Sequence, residues 1–551
     1  MCDLTVTRRS CLRCRSGGPE SPVLLENGTG LAYAATQRSA AGPIKEDMRG
    51  IAIWMLMAVA VTVVPAWSAA NDGVAGAADT ASVRASLRTA VVAQDAKDWP
   101  AVHASISAAL DDASFSKLDA DTQHFALALA MQASLQIGKP SDAHRFAVRA
   151  TEMPERDIED WRGRLTSAMK IGEVADEALC VAQIARMQGV GAEFLSDGTI
   201  FQVFRDSEAA QASEARTEML LALYQRRWHP AGEDTASGFW LELVRLQLLH
   251  NEPEPAARTA DLINNPDDII IMRSDFRFRQ VLKSSQVESN AHRAALKRLD
   301  QYRENVKSHP RSLAVLVRLM YAMSALRMDE EVIALAGTVD SRMSTENGKA
   351  LAYDDSAAEI PWIWNLRANA LRHLGRYDEA LDLLRRAARW QGMTDNVSHA
   401  INLAALLCEL GMPEEALAEL PSDAKASTYG KMQIAAVRLA ATIQLGRSAE
   451  AGAALAYLHE HGRDAPATLQ HALLKAGEYD AAERWLLERL DDPFMRGQAL
   501  LELQILSEPR YPPSAQWHTR SAELKSLPSV RAAVRKIGDI DRYAWRYDTF
   551  E

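Results

Sequence analysis

The stretch LRHLGRYDEALDLLRRAARW, residues 371–390, contains the pattern that decides the fold. Glycine readily adopts the left-handed conformation that ends a helix, so Gly375 predicts a turn between two helices. A small residue such as Ala380 lets two helices approach closely where they cross. The stretch therefore predicts an antiparallel helical hairpin. Apolar or small side chains recur at helical spacing on both sides of the turn, at Trp364, Ala368, Leu371, Tyr377, Ala380, Leu384 and Ala387.

The same hairpin pattern recurs along the chain, which makes a chance match much less plausible. Downstream of Gly375, the turn glycines Gly411, Gly446 and Gly477 follow at intervals of 36, 35 and 31 residues. Upstream, Gly138 and Gly172 are 34 residues apart. Two further copies lack the glycine, namely LLHNEPEPAARTADLI at residues 248–263 and ALRMDEEVIALAG at residues 325–337.

This arrangement resembles the tetratricopeptide repeat, a helical hairpin that recurs about every 34 residues with the same order of small and large positions. Gly392 stands where that pattern usually has a proline. The resemblance is clear over residues 361–490 and degenerate over residues 71–360. It implies an all-α fold, a right-handed superhelical solenoid of antiparallel hairpins in which each hairpin stacks mainly on its neighbours. Residues 491–551 are expected to form capping helices and a tail.

The segment MRGIAIWMLMAVAVTVVPAWSAAND, which begins at Met48, has the order of a secretory signal peptide. A positive start precedes a short apolar run, and small residues follow Pro65. We therefore expect a signal peptide at residues 48–70 and a periplasmic or secreted mature protein. The alternative is an inner-membrane anchor through residues 50–70, because roughly 20 apolar residues can span a bilayer.

Residues 1–47 precede this segment and lack the hydrophobic periodicity of a folded core. We expect them to be a disordered leader, with Met48 as the true translation start. Three of the five cysteines lie in the leader, including the pair in CLRC. A single CxxC without a second pair is a weak metal or redox signal. The mature chain keeps only Cys180 and Cys408, which lie within apolar helix patterns and are expected to stay unpaired.

Composition and motifs argue against most catalytic classes. The net charge of −11 and the lack of a basic stripe make nucleic acid a poor partner. The chain has no nucleophile elbow, zinc-protease helix, phosphate-binding loop or complete dinucleotide fingerprint. His459 and His461 make at most half of a metal-ligand set. The acidic pairs at residues 267–268, 354–355 and 491–492 fit helix capping. We expect neither an enzyme nor a cofactor or metal.

The first helices of the clear repeats carry polar side chains that should line the concave groove. Asparagine suits such a position because its amide both donates to and accepts from a peptide backbone. Asn365, Asn369 and Asn402 resemble the amides of the carboxylate-clamp repeats. However, Gln433 and Val437 stand where the clamp has basic residues. A generic groove for a protein or peptide ligand is the prediction. The predicted groove residues are Trp362, Asn365, Asn369, Arg372 and Asn402.

Three functional readings follow from the sequence. The first is an exported, non-catalytic scaffold for protein–protein interactions in the cell envelope. The second is an accessory protein of polysaccharide export or cell-wall handling that binds glycan in the groove, where Trp362, Trp364 and Trp390 would stack on sugars. The third is an all-α enzyme resembling the lytic transglycosylases, although no lysozyme-like domain is visible. Membrane contact is expected only through an uncleaved signal segment.

Overall fold

The computed structural model describes residues 80–187, 195–209, 213–230, 233, 235–345, 353–391, 396–506 and 517–544. The predicted leader and the segment at residues 48–70 lie outside these ranges. The described residues form 26 α-helices and, apart from two isolated β-bridges, no β-structure. The predicted all-α class is therefore confirmed. Within these ranges, no helix combines the length and the apolar character needed to cross a bilayer.

The described residues of the N-terminal half form thirteen helices. Most are three to four turns long, and α10, α11 and α12 are shorter. These helices are α1 (Ala81–Asp95), α2 (Trp99–Asp111), α3 (Ala120–Gln136), α4 (Pro140–Thr151), α5 (Ile158–Ile171), α6 (Val174–Arg186), α7 (Asp197–Ala209), α8 (Ser213–Gln225), α9 (Ser237–Leu249), α10 (Pro253–Ala260), α11 (Pro266–Ser274), α12 (Arg279–Ser284) and α13 (Ala291–Ser308).

The described residues of the C-terminal half include the hairpins that the sequence predicts most clearly. The hairpin of the opening stretch is α16 followed by α17. The helices of this half are α14 (Leu313–Ala325), α15 (Asp329–Thr345), α16 (Ser356–His373), α17 (Tyr377–Ala388), α18 (Val397–Glu409), α19 (Pro413–Glu419), α20 (Thr428–Gln444), α21 (Ser448–Glu460), α22 (Pro466–Ala476), α23 (Tyr479–Asp491), α24 (Arg496–Leu503), α25 (Trp517–Ser526) and α26 (Pro528–Ile537).

The hairpin turns share one backbone conformation. Gly375 has a φ of +80°, in the left-handed region, and the other five predicted turn glycines have φ between +68° and +78°. The two copies predicted without a glycine make the same turn at Asn251 and Arg327, with φ of +59° and +65°. Lys97 and Arg227 adopt this conformation too. The turn is therefore a property of the repeat, and glycine only lowers its cost.

Consecutive helices pack against each other and bury the apolar faces that the periodicity predicts. In the hairpin of α16 and α17, Ala368, Leu371, Ala380 and Leu384 are 0–1% exposed. The helix α17 then packs on α18, so the core continues into the next hairpin. This continuity is what makes a stack of hairpins stable when a single hairpin is not.

Replacing Ala380 by leucine is expected to lower the free energy of unfolding by roughly 1–3 kcal/mol, because three extra carbons must enter a well-packed crossing. Ala380 is 0% exposed on α17. Urea denaturation measures the change. The matched control is Ala453→Leu on α21, where the side chain is exposed and the fold should lose little stability. Equal stability of Ala380→Leu and the parent protein would show that the hairpin register is wrong.

One long-range contact departs from the predicted stacking of neighbours. The helix α11 packs on α24, although their sequence positions lie more than 220 residues apart. Leu501 of α24 is 0% exposed and joins the apolar cluster formed by helices α5 to α14. The small rotation between successive hairpins adds up along the array, and here it brings the C-terminal end back onto the middle. The helices from α11 to α24 therefore close on themselves.

Candidate functional site

The predicted groove residues lie on two neighbouring first helices, α16 and α18. Asn402 Nδ2 donates a hydrogen bond to Asn365 Oδ1 at 2.9 Å and so links the two helices. One turn further along α16 lies Asn369. Together, Asn365, Asn369 and Asn402 form an amide strip, and we use that name for these three residues. The structure thus brings together side chains that are up to 37 residues apart in sequence.

The amide strip is flanked by an aromatic contact and an ion pair. The ring of Trp362 lies 4.3 Å from that of His399 on α18. At the other end of α16, Arg372 Nη1 lies 3.3 Å from both carboxylate oxygens of Glu409. These contacts fix the relative position of the two helices on both sides of the strip.

All five predicted groove residues are buried, with exposed fractions of 0–4%. The sequence predicts that these side chains line an open groove, so their burial is a finding that the pattern did not anticipate. A role in partner binding stays a prediction. Among the described residues, no donor lies within hydrogen-bonding reach of Asn369 Oδ1 or Asn402 Oδ1. A buried acceptor without a donor costs about 1–3 kcal/mol, so the strip retains unused hydrogen-bonding capacity.

The polar row continues into the next two first helices. Gln433 Nε2 on α20 donates to Thr468 Oγ1 on α22 at 2.6 Å. Gln470 of α22 is also buried and donates to the backbone of Ala482 at 2.9 Å. Sequence reasoning missed Thr468 and Gln470. The repeat period could have predicted Thr468, because it lies 35 residues, about one repeat, after Gln433.

Trp364 and Trp390, the other proposed sugar-stacking residues, already make contacts within the fold. Their rings pack edge to face at 5.3 Å. The Trp364 indole donates to Asp340 Oδ1 at 2.8 Å, and the guanidinium of Arg386 lies 4.2 Å from its ring centre. Arg386 and Trp390 thus already contact the Trp364 ring, against which a sugar ring would have to stack.

The other candidate sites show no arrangement for chemistry. His461 Nδ1 lies 3.2 Å from Asp464 Oδ2 at an exposed turn after α21, and His459 lies in the last turn of that helix. Across the described ranges, no three metal-ligating side chains come together. Asp492 accepts from the backbone N–H of Phe494 at 2.8 Å, in the turn before α24, whose N-cap is Met495. The predicted CLRC motif lies outside the described residues.

The acidic pair at residues 354–355 also serves helix ends. Asp355 accepts hydrogen bonds from the backbone N–H groups of Leu313 and Ala314, at 2.8 and 2.9 Å. Its side chain therefore binds the start of α14, a helix of the preceding hairpin, and makes no capping hydrogen bond to its own helix, α16. Asp354 accepts from the guanidinium of Arg311. This pair is confirmed as structural.

For the acidic pair at residues 267–268, the capping prediction is wrong. Asn265 is the N-cap of α11, and its side chain accepts from the backbone N–H of Asp267 at 3.0 Å. Asp268 lies inside the first turn and is 0% exposed. Burial raises the pKa of the Asp268 carboxyl to about 7, because the charged form loses its hydration there.

Another buried acidic group is Glu233, in the segment before α9. Glu233 accepts a hydrogen bond from the Tyr302 hydroxyl at 2.9 Å and from Arg298 Nη2 at 3.0 Å. Arg318 Nε of α14 lies 3.9 Å from the same carboxylate. Burial raises the pKa of Tyr302, so it stays a hydrogen-bond donor at physiological pH. These four residues form a charge cluster that joins α13 and α14 to the segment before α9.

Both cysteines of the described chain are free and buried, as the sequence predicts. Burial raises the pKa of the Cys408 thiol to about 12 and also raises that of Cys180. Because the thiolate is the reactive form, we expect both to react slowly with iodoacetamide at pH 8 and quickly in denaturant. Mass spectrometry of the non-reduced protein should find no Cys180–Cys408 bridge. Rapid alkylation of the native protein would contradict the buried placement.

Comparison with known proteins supports the hairpin assignment. Residues 361–391, which span most of α16 and all of α17, match the family model described as tetratricopeptide repeat. No curated protein sequence matches the chain. Two solved structures are similar at low sequence identity. The first is the crystal structure of the APC/C hetero-tetramer Cut9-Hcn1, with 12% identity over 82% of this chain and 96% of that chain and a TM-score of 0.22. The second is a circular tandem repeat protein with novel repeat topology and enhanced subunit contact surfaces, with 15% identity over 82% of this chain and 94% of that chain and a TM-score of 0.13. The chain is an all-α helical-repeat protein, and its hairpin at residues 361–391 is a tetratricopeptide repeat.

Proposed function

We propose that the chain is an exported, non-catalytic scaffold that binds a protein partner in the cell envelope. The partner presents an extended peptide segment to the amide strip. The observation that carries this proposal is the pair of buried amide oxygens, Asn369 Oδ1 and Asn402 Oδ1, which no donor among the described residues satisfies. A peptide backbone offers an N–H donor at every residue except proline, and it can reach these oxygens only where α16 and α18 separate, because both atoms are buried in this structure.

The test uses Asn369→Leu, because Asn369 makes no side-chain hydrogen bond to any described residue. Removing a buried amide without a partner should leave the melting temperature unchanged or raise it. The same change should abolish the capture of a partner from envelope extract by the immobilised protein. Gln225→Leu, which replaces an exposed amide at the end of α8, is the matched control and should capture the partner normally. Equal capture by Asn369→Leu and the parent protein would refute binding at the strip.

The export part of the proposal is supported by the sequence of residues 48–70 alone. We expect the mature protein to begin near residue 70 and to lie in the periplasm or outside the cell. N-terminal sequencing of the protein from an envelope fraction measures this directly. An intact Met1 in the cytosolic fraction would overturn it, and retention of residues 50–70 in the membrane fraction would establish the inner-membrane anchor instead.

The glycan and enzyme alternatives gain no support from the site. The three tryptophans proposed for sugar stacking pack against His399, Arg386 and each other. In the acidic pairs at residues 354–355 and 491–492, Asp355 accepts from the backbone N–H of Leu313, and Asp492 accepts from that of Phe494. A peptidoglycan-release assay with the purified protein tests the enzyme alternative, and we expect no release.

A further inference from the structure

The first three hairpins, α1–α2, α3–α4 and α5–α6, are joined by pairs of histidine and aspartate. In each pair, the histidine lies on one helix, and the aspartate lies about one repeat later on the equivalent helix of the next hairpin. We call these three pairs the histidine ladder. They are His103–Asp142, His124–Asp160 and His144–Asp176, with nitrogen–oxygen distances of 3.7, 2.6 and 2.8 Å.

Two pairs of the histidine ladder lie at a break in the apolar core. The buried apolar side chains of α1 to α4 form one cluster, and the next cluster starts on α5 and shares no residue with the first. The pairs of His124 and His144 cross this break, and their four side chains are at most 18% exposed. Arg164 of α5 adds a hydrogen bond to the hydroxyl of Thr151 on α4 at 2.8 Å. Polar side chains therefore help to hold the third hairpin on the second.

The first pair is the weakest of the ladder. The 3.7 Å between His103 Nε2 and Asp142 Oδ2 is too long for a hydrogen bond. Asp142 also pairs with Arg145, at 3.0 Å. The other two pairs therefore decide how the ladder behaves.

The charged groups that act on His124 are acidic. They are its partner Asp160 and the nearby carboxylates of Asp157 and Glu155. The hydrogen bond to Asp160 raises the pKa of His124 above its ordinary value, although burial acts in the opposite direction. Asp160 also accepts from the backbone N–H of Asp157 at 2.8 Å, so this carboxylate stays in place when the imidazole is neutral.

Around His144, the neighbouring groups carry both signs of charge. Arg164 Nε lies 2.8 Å from Asp176 Oδ2, the same oxygen that His144 contacts. Burial raises the pKa of Asp176, but the hydrogen bonds from Arg164 and His144 outweigh it and lower the pKa below its ordinary value. Asp176 therefore stays ionised. Next to it on α6, burial and the charges of Asp206 and Asp176 raise the pKa of Glu177 to about 7.

Further along the array, arginine replaces histidine in the links between equivalent helices. Arginine stays charged in proteins at any ordinary pH, whereas histidine changes its charge near neutral pH. The pair of His373 and Asp329 is also present, but it joins α16 to the start of α15, which is not an equivalent helix. The arginine links are Arg186–Glu218 between α6 and α8, Arg372–Glu409 between α16 and α18, and Arg389–Glu419 between α17 and α19.

We propose that the first three hairpins, α1 to α6, are a pH-responsive module: the protonated histidines of the ladder hold each hairpin to the next, and their deprotonation weakens this stacking. The arginine links keep their charge, so the stacking of the hairpins that they join stays the same over the same pH range. If the protein is exported as proposed above, the module responds to the pH of the medium. That consequence rests on the proposed function, whereas the titration of the ladder does not.

The stability of the module should fall as the pH rises above the ordinary histidine pKa of 6.5. A group whose pKa is raised on folding stabilises the folded state fully below its unfolded pKa, and this contribution is lost as the pH rises through the folded pKa. The hydrogen bond to Asp160 places His124 in this class. Glu177 acts in the same direction at lower pH, between its ordinary pKa of 4.5 and about 7.

The test is hydrogen exchange of the full-length protein at pH 6.0 and pH 8.5, followed by mass spectrometry, with each rate divided by that of the unfolded chain at the same pH. The ends of a repeat array open locally, so exchange in α1 to α6 reports the stability of the module itself. The variant is His124→Gln with His144→Gln, which keeps a hydrogen-bond donor but removes the charge. The parent protein should gain protection over this variant at pH 6.0 relative to pH 8.5, by roughly 5-fold for each pair, because hydrogen bonds to charged groups are about twice as strong as neutral ones. Glu177 and Asp268 are present in both proteins, so their titration cancels.

The matched control is His292→Gln on α13, which makes the same change at an exposed histidine and should exchange like the parent protein at both pH values. Helices α17 and α19 contain no histidine and should exchange equally in the double variant and the parent protein. Each single variant should show one step of roughly 5-fold, so either one decides for its own pair. A difference between variant and parent that is the same at both pH values would overturn the pH-responsive module, because the histidines would then act only as neutral hydrogen-bonding groups. An equal change in α17, α19 and the first six helices would overturn it too.

Discussion

Replacing Glu233 by glutamine is expected to lower the free energy of unfolding by about 3–5 kcal/mol. The carboxylate of Glu233 is 4% exposed and lies between the guanidinium groups of Arg298 and Arg318. Glutamine has nearly the same shape, but it carries no charge to balance those groups in a buried setting. Urea denaturation followed by circular dichroism measures the loss. Because the cluster joins α13 and α14 to the segment before α9, we expect these helices to lose protection first.

The control for this prediction is Glu304→Gln, which makes the same chemical change on α13. Glu304 pairs with Lys307, and both side chains are 70% exposed, so this change should have little effect. A double-mutant cycle with Arg298→Met separates the charge from the packing. If the cluster acts as a unit, the double variant should be more stable than the sum of the two single changes predicts. Additive losses would show that the pair is not coupled.

The local features of the fold were predictable because they depend on short sequence patterns. The apolar periodicity around Gly375 predicted the hairpin of α16 and α17, and the intervals between the turn glycines predicted the hairpins that follow it. Lys97 and Arg227 were missed because their side chains give no sign of the left-handed conformation that they adopt. That conformation is imposed by the packing of the two helices on either side, and the packing is not visible in a single residue type.

The closure of the array could not be predicted from the same patterns. It depends on the sum of small rotations between hairpins, and no local motif encodes that sum. No sequence pattern distinguishes Gly497 and Gly538 from other glycines. Only the structure shows that a larger side chain at either position would clash with α11. For the candidate site, the repeat period predicted that Asn365, Asn369 and Asn402 lie on the first helices of neighbouring hairpins. Their burial depends on the global shape and so was not foreseen.

The predicted capping role of the acidic pair at residues 267–268 failed for a related reason. Aspartate near a proline at a helix start is usually solvated, and the sequence around Pro266 fits that rule. However, α9 and α13 pack on α11 from both sides, and Asp268 is enclosed by them. The hydroxyl of Ser237 and the guanidinium groups of Arg298 and Arg245 lower the pKa of this carboxyl, but the effect of burial is larger.

The position of Asp268 gives the stability of the protein a specific pH dependence. Its pKa is about 7 in the folded protein, against an ordinary value of 3.8. Between these two values the folded state keeps a proton that the unfolded state releases. The folded state therefore binds more protons, and the free energy of unfolding falls as the pH rises from about 4 to about 7. Above that range both states are ionised, and this contribution to the pH dependence ends.

Replacing Asp268 by asparagine is expected to stabilise the protein at pH 8 by roughly 2–4 kcal/mol, because each pKa unit corresponds to about 1.4 kcal/mol and asparagine carries no buried charge. Near pH 4 the two proteins should have nearly equal stability, since the aspartate is protonated there. Urea denaturation at both pH values measures the difference. The matched control is Asp300→Asn on α13, where the side chain is 73% exposed and the pH dependence should not change. If Asp268→Asn is less stable than the parent protein at pH 8, the carboxylate must be stabilised by its surroundings in the folded state, and the assignment of Asp268 as a buried acid with a raised pKa is wrong.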